Sequence, residues 1–249
     1  MPDEMFREEA QAVMAAGRNV HLIDTEALIL GPACIRPPLD PEARVVYRGW
    51  MLTHGEYANL AASVERAGGS CFTSPDQYAA THYLPNWYAV LKDYTPETVF
   101  LDTDADLVRE LQRLGWERFF VKDHVKSLKT SVGSIFEDPE QIETVVSEME
   151  KYRGFIEGGL CIRRVEDLIA GSERRYFVLN RTPYVAEPGA AVPEPVAFCA
   201  GAIASPFFSV DIARRADDIE RIVEIGDGQV SDLVGWSVER FVDIWRDTE

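Results

Sequence analysis

Hydrophobic residues recur along the chain with two periods, one typical of helices and one typical of strands. A spacing of three and four residues predicts helices, and one of these begins with Ser74 as N-cap and Pro75 at the first helical position. Alternating or continuous short apolar runs predict strands. The predicted helices are residues 3–16, 55–67, 74–94 with an interruption at Pro85, 104–115, 139–151 and 237–246, and the predicted strands are 19–23, 44–48, 118–122, 159–165, 173–180, 208–214 and 219–225.

Glycine and proline residues separate these elements. Gly68-Gly69 and Gly115 directly follow predicted helices, at the position where a left-handed residue commonly ends a helix. A proline-rich segment, residues 183–195, separates the earlier strands from the last two. Helices mix with strands that are expected to pair antiparallel, which predicts an α+β fold class. The sequence places a domain boundary near residues 95–116.

The composition and charge exclude several classes of partner. Of the 249 residues, 46% are hydrophobic, which is sufficient for a globular core. The formal charge of −17 disfavours nucleic acid or an anionic membrane as a partner, so a small substrate is expected. The one lysine cluster, Lys122, Lys126 and Lys129, has the size of a phosphate group rather than of a duplex. The oligomeric state is left open.

No segment of the sequence indicates export or membrane insertion. The first 17 residues carry charges without a continuous apolar core, so they do not resemble a signal peptide. The most apolar run, residues 196–204, is far shorter than the roughly 20 residues of a membrane span. The four cysteines lie far apart without a zinc-binding pattern and are expected to be reduced thiols. A cytoplasmic protein is therefore expected.

Two acidic residues are predicted to face each other on a hairpin formed by the last two strands. A turn centred on Asp217-Asp218 brings Asp211 directly across from Glu224 and leaves the opposite face apolar. The Cβ atoms of such a pair are about 5 Å apart, and like charges at that distance repel. A Mg²⁺ ion bound between the two carboxylates removes this cost. The alternative is a salt bridge from Asp211 to an arginine such as Arg214, with Glu224 facing water.

Several motifs together resemble one protein family. VVYRGWM, SPDQYAATHYLPNWYAVLKDYTPET, FFVKDHVKS, ERRYFVLN and VEIGDGQVSDL are similar, in this order, to the ATP-grasp clade characterised by paired arginines and a lysine at the nucleotide site. The resemblance covers roughly residues 44–235. It implies an ATP-grasp fold, in which two α+β lobes clasp ATP, preceded by a small α/β domain. Residues 1–100 would form this N-terminal domain and residues 101–249 the ATP-grasp domain.

The resemblance also implies which residues hold the metal ions. In the family an Asp on one strand and a Glu on the next bind magnesium, and Asp211 and Glu224 occupy these places. The usual third ligand is an Asn two residues after the Glu. This sequence has Gly226 there, and Asp227 beside it is the candidate substitute.

Basic residues are expected at the nucleotide. Lys122 closes an apolar strand before a loop rich in Lys, Ser and Gly, which suits contact with phosphates, and Lys126 lies in that loop. The resemblance implies Arg175 near the phosphates and either Arg163 or Arg164 at the adenine hinge, with Arg163 preferred. Lys122 as a solvated strand end and Lys126 in a solvated loop are the alternatives.

These assignments predict a ligase that uses ATP and Mg²⁺ to join a small-molecule or peptide carboxylate to an amine through an acyl phosphate. Arg175 and Arg48 are the predicted catalytic residues. Arg48 stands at a strand end suited to holding an anion, although an ordinary surface arginine fits the same pattern. His54, His82 and His124 receive no catalytic role. An ATP-dependent phosphotransferase and a non-catalytic nucleotide-binding regulatory module remain as alternatives.

Overall fold

The structure of the protein is a computed structural model, and it describes residues 1–125 and 134–246. Contacts group the chain into two compact units. The first unit comprises Met1–Thr81, Arg174–Val210 and Gly226–Glu249, and the second comprises His82–Glu173 and Asp211–Ile225. Within the described ranges, no helix is long and apolar enough to cross a membrane.

Short strands and helices alternate along the chain. The strands are β1 (Leu22–Ile23), β2 (Ile35–Arg36), β3 (Arg44–Val45), β4 (Ser70–Cys71), β5 (Thr98–Leu101), β6 (Phe119–Asp123), β7 (Ile135–Phe136), β8 (Leu160–Arg164), β9 (Arg174–Leu179), β10 (Thr182–Tyr184), β11 (Phe207–Arg214) and β12 (Glu220–Asp227). The helices are α1 (Arg7–Ala15), α2 (His54–Arg66), α3 (Pro75–His82), α4 (Leu84–Leu91), α5 (Leu107–Leu114), α6 (Ile142–Arg153), α7 (Glu194–Ala202) and α8 (Val238–Asp243).

Local sequence signals determine where several helices begin and end. At the start of α2, Glu56 N donates to Thr53 Oγ1 while Thr53 N donates to the Glu56 carboxylate, which forms a capping box. Helix α5 begins after Asp106, whose carboxylate accepts from a backbone N–H in the first turn. It ends at Gly115, whose φ of 64° is the left-handed conformation. The predicted end of this helix is confirmed.

The second unit is built on an antiparallel sheet with the strand order β5-β8-β6-β7. One face of this sheet packs against α5 and α6, and Leu111, Val121 and Ile162 are completely buried there. Full burial of one such side chain contributes about 1.5–3 kcal/mol, so this cluster is a main source of stability for the unit. The predicted apolar strand that ends near Lys122 is confirmed as β6.

The other face of the same sheet carries charged groups. Lys122 of β6 and Phe100 of β5 both pair with Cys161 of β8, so these three residues point to one side. Arg163 lies two residues further along β8 and therefore points to that side as well. Two cations from neighbouring strands thus share the face opposite the apolar cluster.

The first unit contains two small sheets and two apolar clusters. β1 and β2 pair antiparallel, and β3 and β4 pair in parallel. One cluster surrounds α2, where the rings of Tyr57 and Tyr78 stack with centroids 4.1 Å apart. The other gathers aromatic rings from β9, β11 and α8, including Phe177, Phe207 and Phe241. The predicted core packing of Tyr78 is confirmed.

β11 and β12 form the predicted hairpin, in a sheet with the order β10-β9-β11-β12. The turn differs from the prediction. Arg215 N donates to Ile219 O at 2.8 Å and Asp218 N donates to Arg215 O at 2.9 Å, so three residues form the turn instead of two. Asp218 has a φ of 66°, a conformation that Asp tolerates better than most residues. The predicted contact of Arg215 with Glu220 is therefore wrong.

At the other end of the hairpin, the pairing follows the predicted register. A Cβ atom added to Gly226 would lie 3.2 Å from Ser209 Oγ, so residues 209 and 226 stand side by side on one face. Compared with the turn, β12 has one extra residue, which is a β-bulge. The consecutive carbonyls of Ile222 and Val223 both accept hydrogen bonds from side chains of the second unit, although consecutive carbonyls of a regular strand point in opposite directions. The bulge therefore lies at these two residues.

Two elements differ from the sequence predictions for physical reasons. The strand expected at 44–48 is reduced to β3, because Tyr47 N donates to the Gln229 side chain instead of to a neighbouring strand. Helix α7 was not predicted, because Pro193 and Pro195 at its start mark a break in the sequence. Pro195 lies in the first helical turn, where its missing N–H costs no hydrogen bond.

Candidate active site

Lys122 and Glu224 form a buried ion pair within the second unit. Lys122 Nζ lies 2.5 Å from Glu224 Oε1, and the exposed fractions of the two side chains are 4% and 14%. Alternation along β6 turns Lys122 away from the apolar cluster that contains Val121. A charge buried to this extent is tolerated only beside an opposite charge. The pair joins a predicted phosphate-binding residue to a predicted metal ligand.

Arg163 is held against the same strand. Its Nη1 donates to Val223 O at 2.6 Å and its Nη2 donates to Thr95 Oγ1 at 2.6 Å. Its Nε has no hydrogen-bond partner among the described residues. Burial lowers the pKa of Arg163, and the nearby Glu224 carboxylate raises it. Arg163 therefore fixes the backbone directly before Glu224, and its predicted contact with the nucleotide stays a prediction.

Asp211 lies on β11 with 2% of its surface exposed. It shares a face with Ser209, since alternate residues of a strand point to the same side. Glu224 shares a face with Gly226 by the same alternation, and Ser209 and Gly226 stand side by side. Asp211 and Glu224 therefore project from one side of the hairpin. Among the described residues, no group of three or more His, Cys, Asp or Glu side chains is arranged to hold a metal ion.

Asp227 lies in the first unit and is completely buried. Its Oδ1 accepts hydrogen bonds from Gln229 N at 3.0 Å and from Gln229 Nε2 at 3.1 Å, while Oδ2 has no partner among the described residues. Burial raises the pKa of Asp227 to about 7, and the hydrogen bonds from Gln229 lower it only in part. This carboxyl group caps the turn after β12. Its predicted role as a third metal ligand stays a prediction.

Arg48 also lies in the first unit, in a dense hydrogen-bonded network rather than at an exposed strand end. Its Nε and Nη2 donate to the two oxygens of Glu9 at 2.7 and 2.8 Å. Its Nη1 donates to the carbonyl oxygens of Gly228, Gln229 and Ser231 at 2.8, 2.8 and 3.1 Å. The expected exposed position is thus wrong, because Glu9 and the turn after β12 surround the guanidinium. A catalytic role for Arg48 stays a prediction.

Arg175 of β9 is 7% exposed, and its Nη1 donates to Asp232 O at 2.7 Å. Its own carbonyl accepts from Trp236 Nε1 at 3.0 Å. The side chain shares a strand face with the fully buried Phe177, as alternation predicts. Its predicted role near the phosphates stays a prediction. Lys126 and Lys129 lie outside the described residues.

Sequence reasoning missed two residues that hold the site residues in place. Thr95 accepts from Arg163 and donates to Ile222 O at 2.8 Å, and Glu9 pairs with Arg48. Both contacts join distant parts of the chain. A Thr after a helix and a Glu in an N-terminal helix carry no sequence signal for such a partner.

Comparisons with known structures give the fold class. The RimK domain protein ATP-grasp from Sphaerobacter thermophilus DSM 20745 matches with a TM-score of 0.65 and 16% identity, over 98% of this chain and 96% of that chain. D-alanyl-alanine synthetase A from Vibrio cholerae O1 biovar eltor str. N16961 matches with a TM-score of 0.65 and 11% identity, over 98% and 92%. D-cycloserine synthetase DcsG matches with a TM-score of 0.62 and 14% identity, over 96% and 93%. The chain has an ATP-grasp fold, and the predicted α+β class is confirmed.

Sequence comparison gives the family. No curated protein sequence matches the chain. The family model that matches describes an ATP-grasp domain, the third family of the clade named for two arginines and a lysine, and it covers residues 87–246, which is more than half of the chain. The chain therefore belongs to this family of ATP-grasp proteins, as the motifs predict.

Proposed function

We propose that the protein is an ATP-dependent ligase that joins a carboxylate to an amine, with ATP and Mg²⁺. The observation that carries this proposal is the meeting of Lys122, Arg163 and Glu224 on one sheet face in a chain of the ATP-grasp family. Structures with this fold include D-alanyl-alanine synthetase A and the ATP-grasp ligase PsnB, which has been seen with a minimal precursor, Mg and ADP. These similarities support an ATP-dependent joining reaction.

The proposed binding roles follow from the chemistry of the side chains. Lys122 provides the cation for the phosphates. Asp211 and Glu224 provide carboxylate oxygens, which are the ligands that Mg²⁺ prefers, and this ion usually keeps phosphate oxygens and water in its other positions. When bound, the metal neutralises charge on the phosphoryl group that is transferred. Arg163 holds the backbone before Glu224, so it determines where that carboxylate stands.

The proposed reaction has two steps. An oxygen of the substrate carboxylate attacks the γ-phosphorus of ATP, so that an acyl phosphate forms and ADP leaves. The amine then attacks the acyl carbon, and phosphate leaves as the C–N bond forms. Removal of water from the site protects the acyl phosphate from hydrolysis. No covalent bond to the protein is needed in either step.

Trapping the acyl phosphate tests the proposal. Purified protein with Mg-ATP and a pool of carboxylic acids, including short peptides, should convert hydroxylamine to a hydroxamate and release ADP, and the mass of the hydroxamate identifies the acid. Release of AMP would show adenylation instead. A phosphorylated product that survives hydroxylamine would support the phosphotransferase. Tight ATP binding without turnover of any acid would support the regulatory module.

Three substitutions on the hairpin test the metal ligands in the same assay. Asp211→Asn and Glu224→Gln should each lower hydroxamate formation at least about 100-fold, because each removes a charge that balances the metal. Asp217→Asn is the matched control, since Asp217 lies in the turn of the same hairpin and pairs with Arg215 at the surface. Full activity in both site variants would remove Asp211 and Glu224 from the metal site.

Further expectations about the chain are part of the same proposal. The substrates are small-molecule or peptide carboxylates and amines, and a cytoplasmic location is expected. The division into an N-terminal domain at 1–100 and an ATP-grasp domain at 101–249 also stays a proposal. The compact units group residues by contact, and they do not define the domains of a family.

A further inference from the structure

His124 lies on the same face of the sheet as Lys122. β6 ends at Asp123, but the backbone bonds continue, because Leu84 N donates to His124 O at 2.8 Å and His124 N donates to Glu157 O at 3.2 Å. The imidazole ring meets Phe100 edge to face, with centroids 6.0 Å apart, and Phe100 shares the face of Lys122. Residues two apart on a strand are separated by about 6.5 Å, so the imidazole stands one step beyond the Lys122 ammonium.

Two glycines make room for the imidazole ring. A Cβ atom at Gly158 would lie 2.5 Å from His124 Nδ1, and one at Gly159 would lie 3.1 Å from Nε2. Both glycines have positive φ, 82° and 128°, which other residues rarely adopt. The ring therefore lies over a stretch of backbone where neither side chains nor ordinary backbone conformations are accommodated.

The imidazole nitrogens have no hydrogen-bond partner among the described residues, and the side chain is partly exposed. A histidine with a purely structural role normally has its ring nitrogens paired. Burial lowers the pKa of His124, the Asp102 carboxylate raises it, and the Lys122 ammonium lowers it. Glu157, the other acidic neighbour along the backbone, accepts a hydrogen bond from Tyr83 Oη at 2.5 Å. The ring is therefore neutral at physiological pH and has an acceptor nitrogen available.

We propose that His124 is the general base that takes a proton from the amine nucleophile of the ligase reaction. This inference rests on the proposed function and adds a catalytic residue to it. A neutral imidazole beside the phosphate-binding lysine suits this role, since the acyl phosphate would form near Lys122 and the amine must reach it without its extra proton. General bases work best when their pKa lies near the operating pH.

The proton and electron count of the step is complete. The ammonium form of the substrate gives one proton to an imidazole nitrogen of His124 and becomes a neutral amine. Its lone pair forms the C–N bond to the acyl carbon, and the bond from that carbon to the phosphate oxygen breaks with its electron pair. The second proton of the attacking nitrogen leaves with the phosphate as monohydrogen phosphate. His124 then returns its proton to solvent.

Comparing two nucleophiles tests the proposal. Hydroxylamine is largely unprotonated at neutral pH and needs no base, whereas ammonia and the amino groups of free amino acids are protonated. With the acid that the hydroxamate assay identifies, His124→Asn should lower amide formation from these amines about 100-fold or more while hydroxamate formation changes by less than about threefold. His21→Asn is the control, because His21 lies in the first unit, where its Nδ1 contacts Pro37 O. That variant should form both products at the rate of the parent.

A second variant separates catalysis from folding. His124→Ala leaves open space over Gly158 and Gly159, so imidazole added to the buffer should restore part of the amide formation. The acid limb of the pH profile for amide formation should also vanish in His124→Asn, since a protonated base cannot act. Equal loss of both products, or no loss of either, overturns the proposal, as does a parent protein that forms hydroxamate but no amide. If the parent forms no hydroxamate, the proposed function itself has failed.

Discussion

The carboxyl group of Asp227 is enclosed in the first unit with one oxygen unpaired among the described residues. Its ordinary pKa of 3.8 is raised by burial to about 7. The folded state therefore binds a proton between about pH 4 and pH 7 that the unfolded state has released, and this proton is lost as the pH rises. Asp227 lowers the stability of the folded protein progressively across this range.

Asp227→Asn should remove this pH dependence. We expect the free energy of unfolding of the parent, relative to the variant, to fall as the pH rises from about 4 to about 7 and to stay constant above. The total change is at most about 4 kcal/mol, since one pKa unit corresponds to about 1.4 kcal/mol. Urea denaturation at a series of pH values measures it. Asp217→Asn is the control, because a surface arginine lowers the pKa of Asp217 to about 2. A difference that does not vary with pH would contradict the raised pKa.

Single residues of the site were predictable where local pattern decides their direction. Lys122 and Glu224 were identified as candidates from strand alternation and the acidic hairpin. Their direct contact was not predicted, since the two residues are 102 positions apart in sequence. Arg48 shows the opposite case. Its strand position was recognised, but Glu9 comes from a distant helix, and nothing in the local sequence indicates that it surrounds the guanidinium.

The segment that follows β12 is fixed as an element by contacts with the N-terminal part of the first unit. Arg48 binds three of its carbonyl groups, and the Gln229 side chain accepts from Tyr47 N at 2.9 Å and donates to Tyr57 Oη at 2.8 Å. Hydrogen bonds to charged groups contribute about 1.5–3 kcal/mol each when buried. The segment therefore keeps one conformation largely because of a single arginine.

Arg48→Ala should loosen this segment without affecting the core of the second unit. Hydrogen exchange should become faster at the amides of Tyr47 and Gln229, which depend on the segment for their partners, and remain unchanged in β6 and β8. Mass spectrometry of peptides or NMR can measure these rates. Arg246→Ala serves as the control, since Arg246 pairs with Asp243 at the surface of α8. Uniform acceleration throughout the chain would mean global destabilisation instead.

Helix ends were predicted well because caps act within a few residues, as at Ser74, Asp106 and Gly115. The hairpin was predicted in outline, but its turn and its bulge were not. Both depend on backbone conformations that several sequences can adopt, and here the contacts of β12 with Thr95 and Arg163 decide between them. Such contacts form only after folding.

At the scale of the whole molecule, neither compact unit is a continuous stretch of chain. The second unit begins at His82, so α4 and β5 belong to it, and β5 pairs with β8 along four residues. The buried Trp87 and Leu91 of α4 belong to the same unit. A boundary at residue 100 would divide this unit.

A chain truncated to residues 101–249 should therefore fail to fold cooperatively. It loses α4 and nearly all of β5, and it also loses Met1–Thr81 of the first unit. Calorimetry should show no sharp thermal transition, whereas the full chain shows one. Both chains should be compared at the same concentration and pH. A sharp transition in the truncated chain would support the domain boundary predicted from the sequence.

The Lys122–Glu224 pair has a consequence for how the ligands arrive. If Glu224 binds the metal as proposed, the lysine serves as its counter-ion whenever nucleotide and metal are absent, and a free divalent ion must first displace a buried ammonium group from its carboxylate. Metal and triphosphate together solve this exchange of partners, because the phosphates receive the lysine as the metal receives the carboxylate. The free energy needed to separate the pair therefore discriminates against each ligand alone and favours their joint arrival.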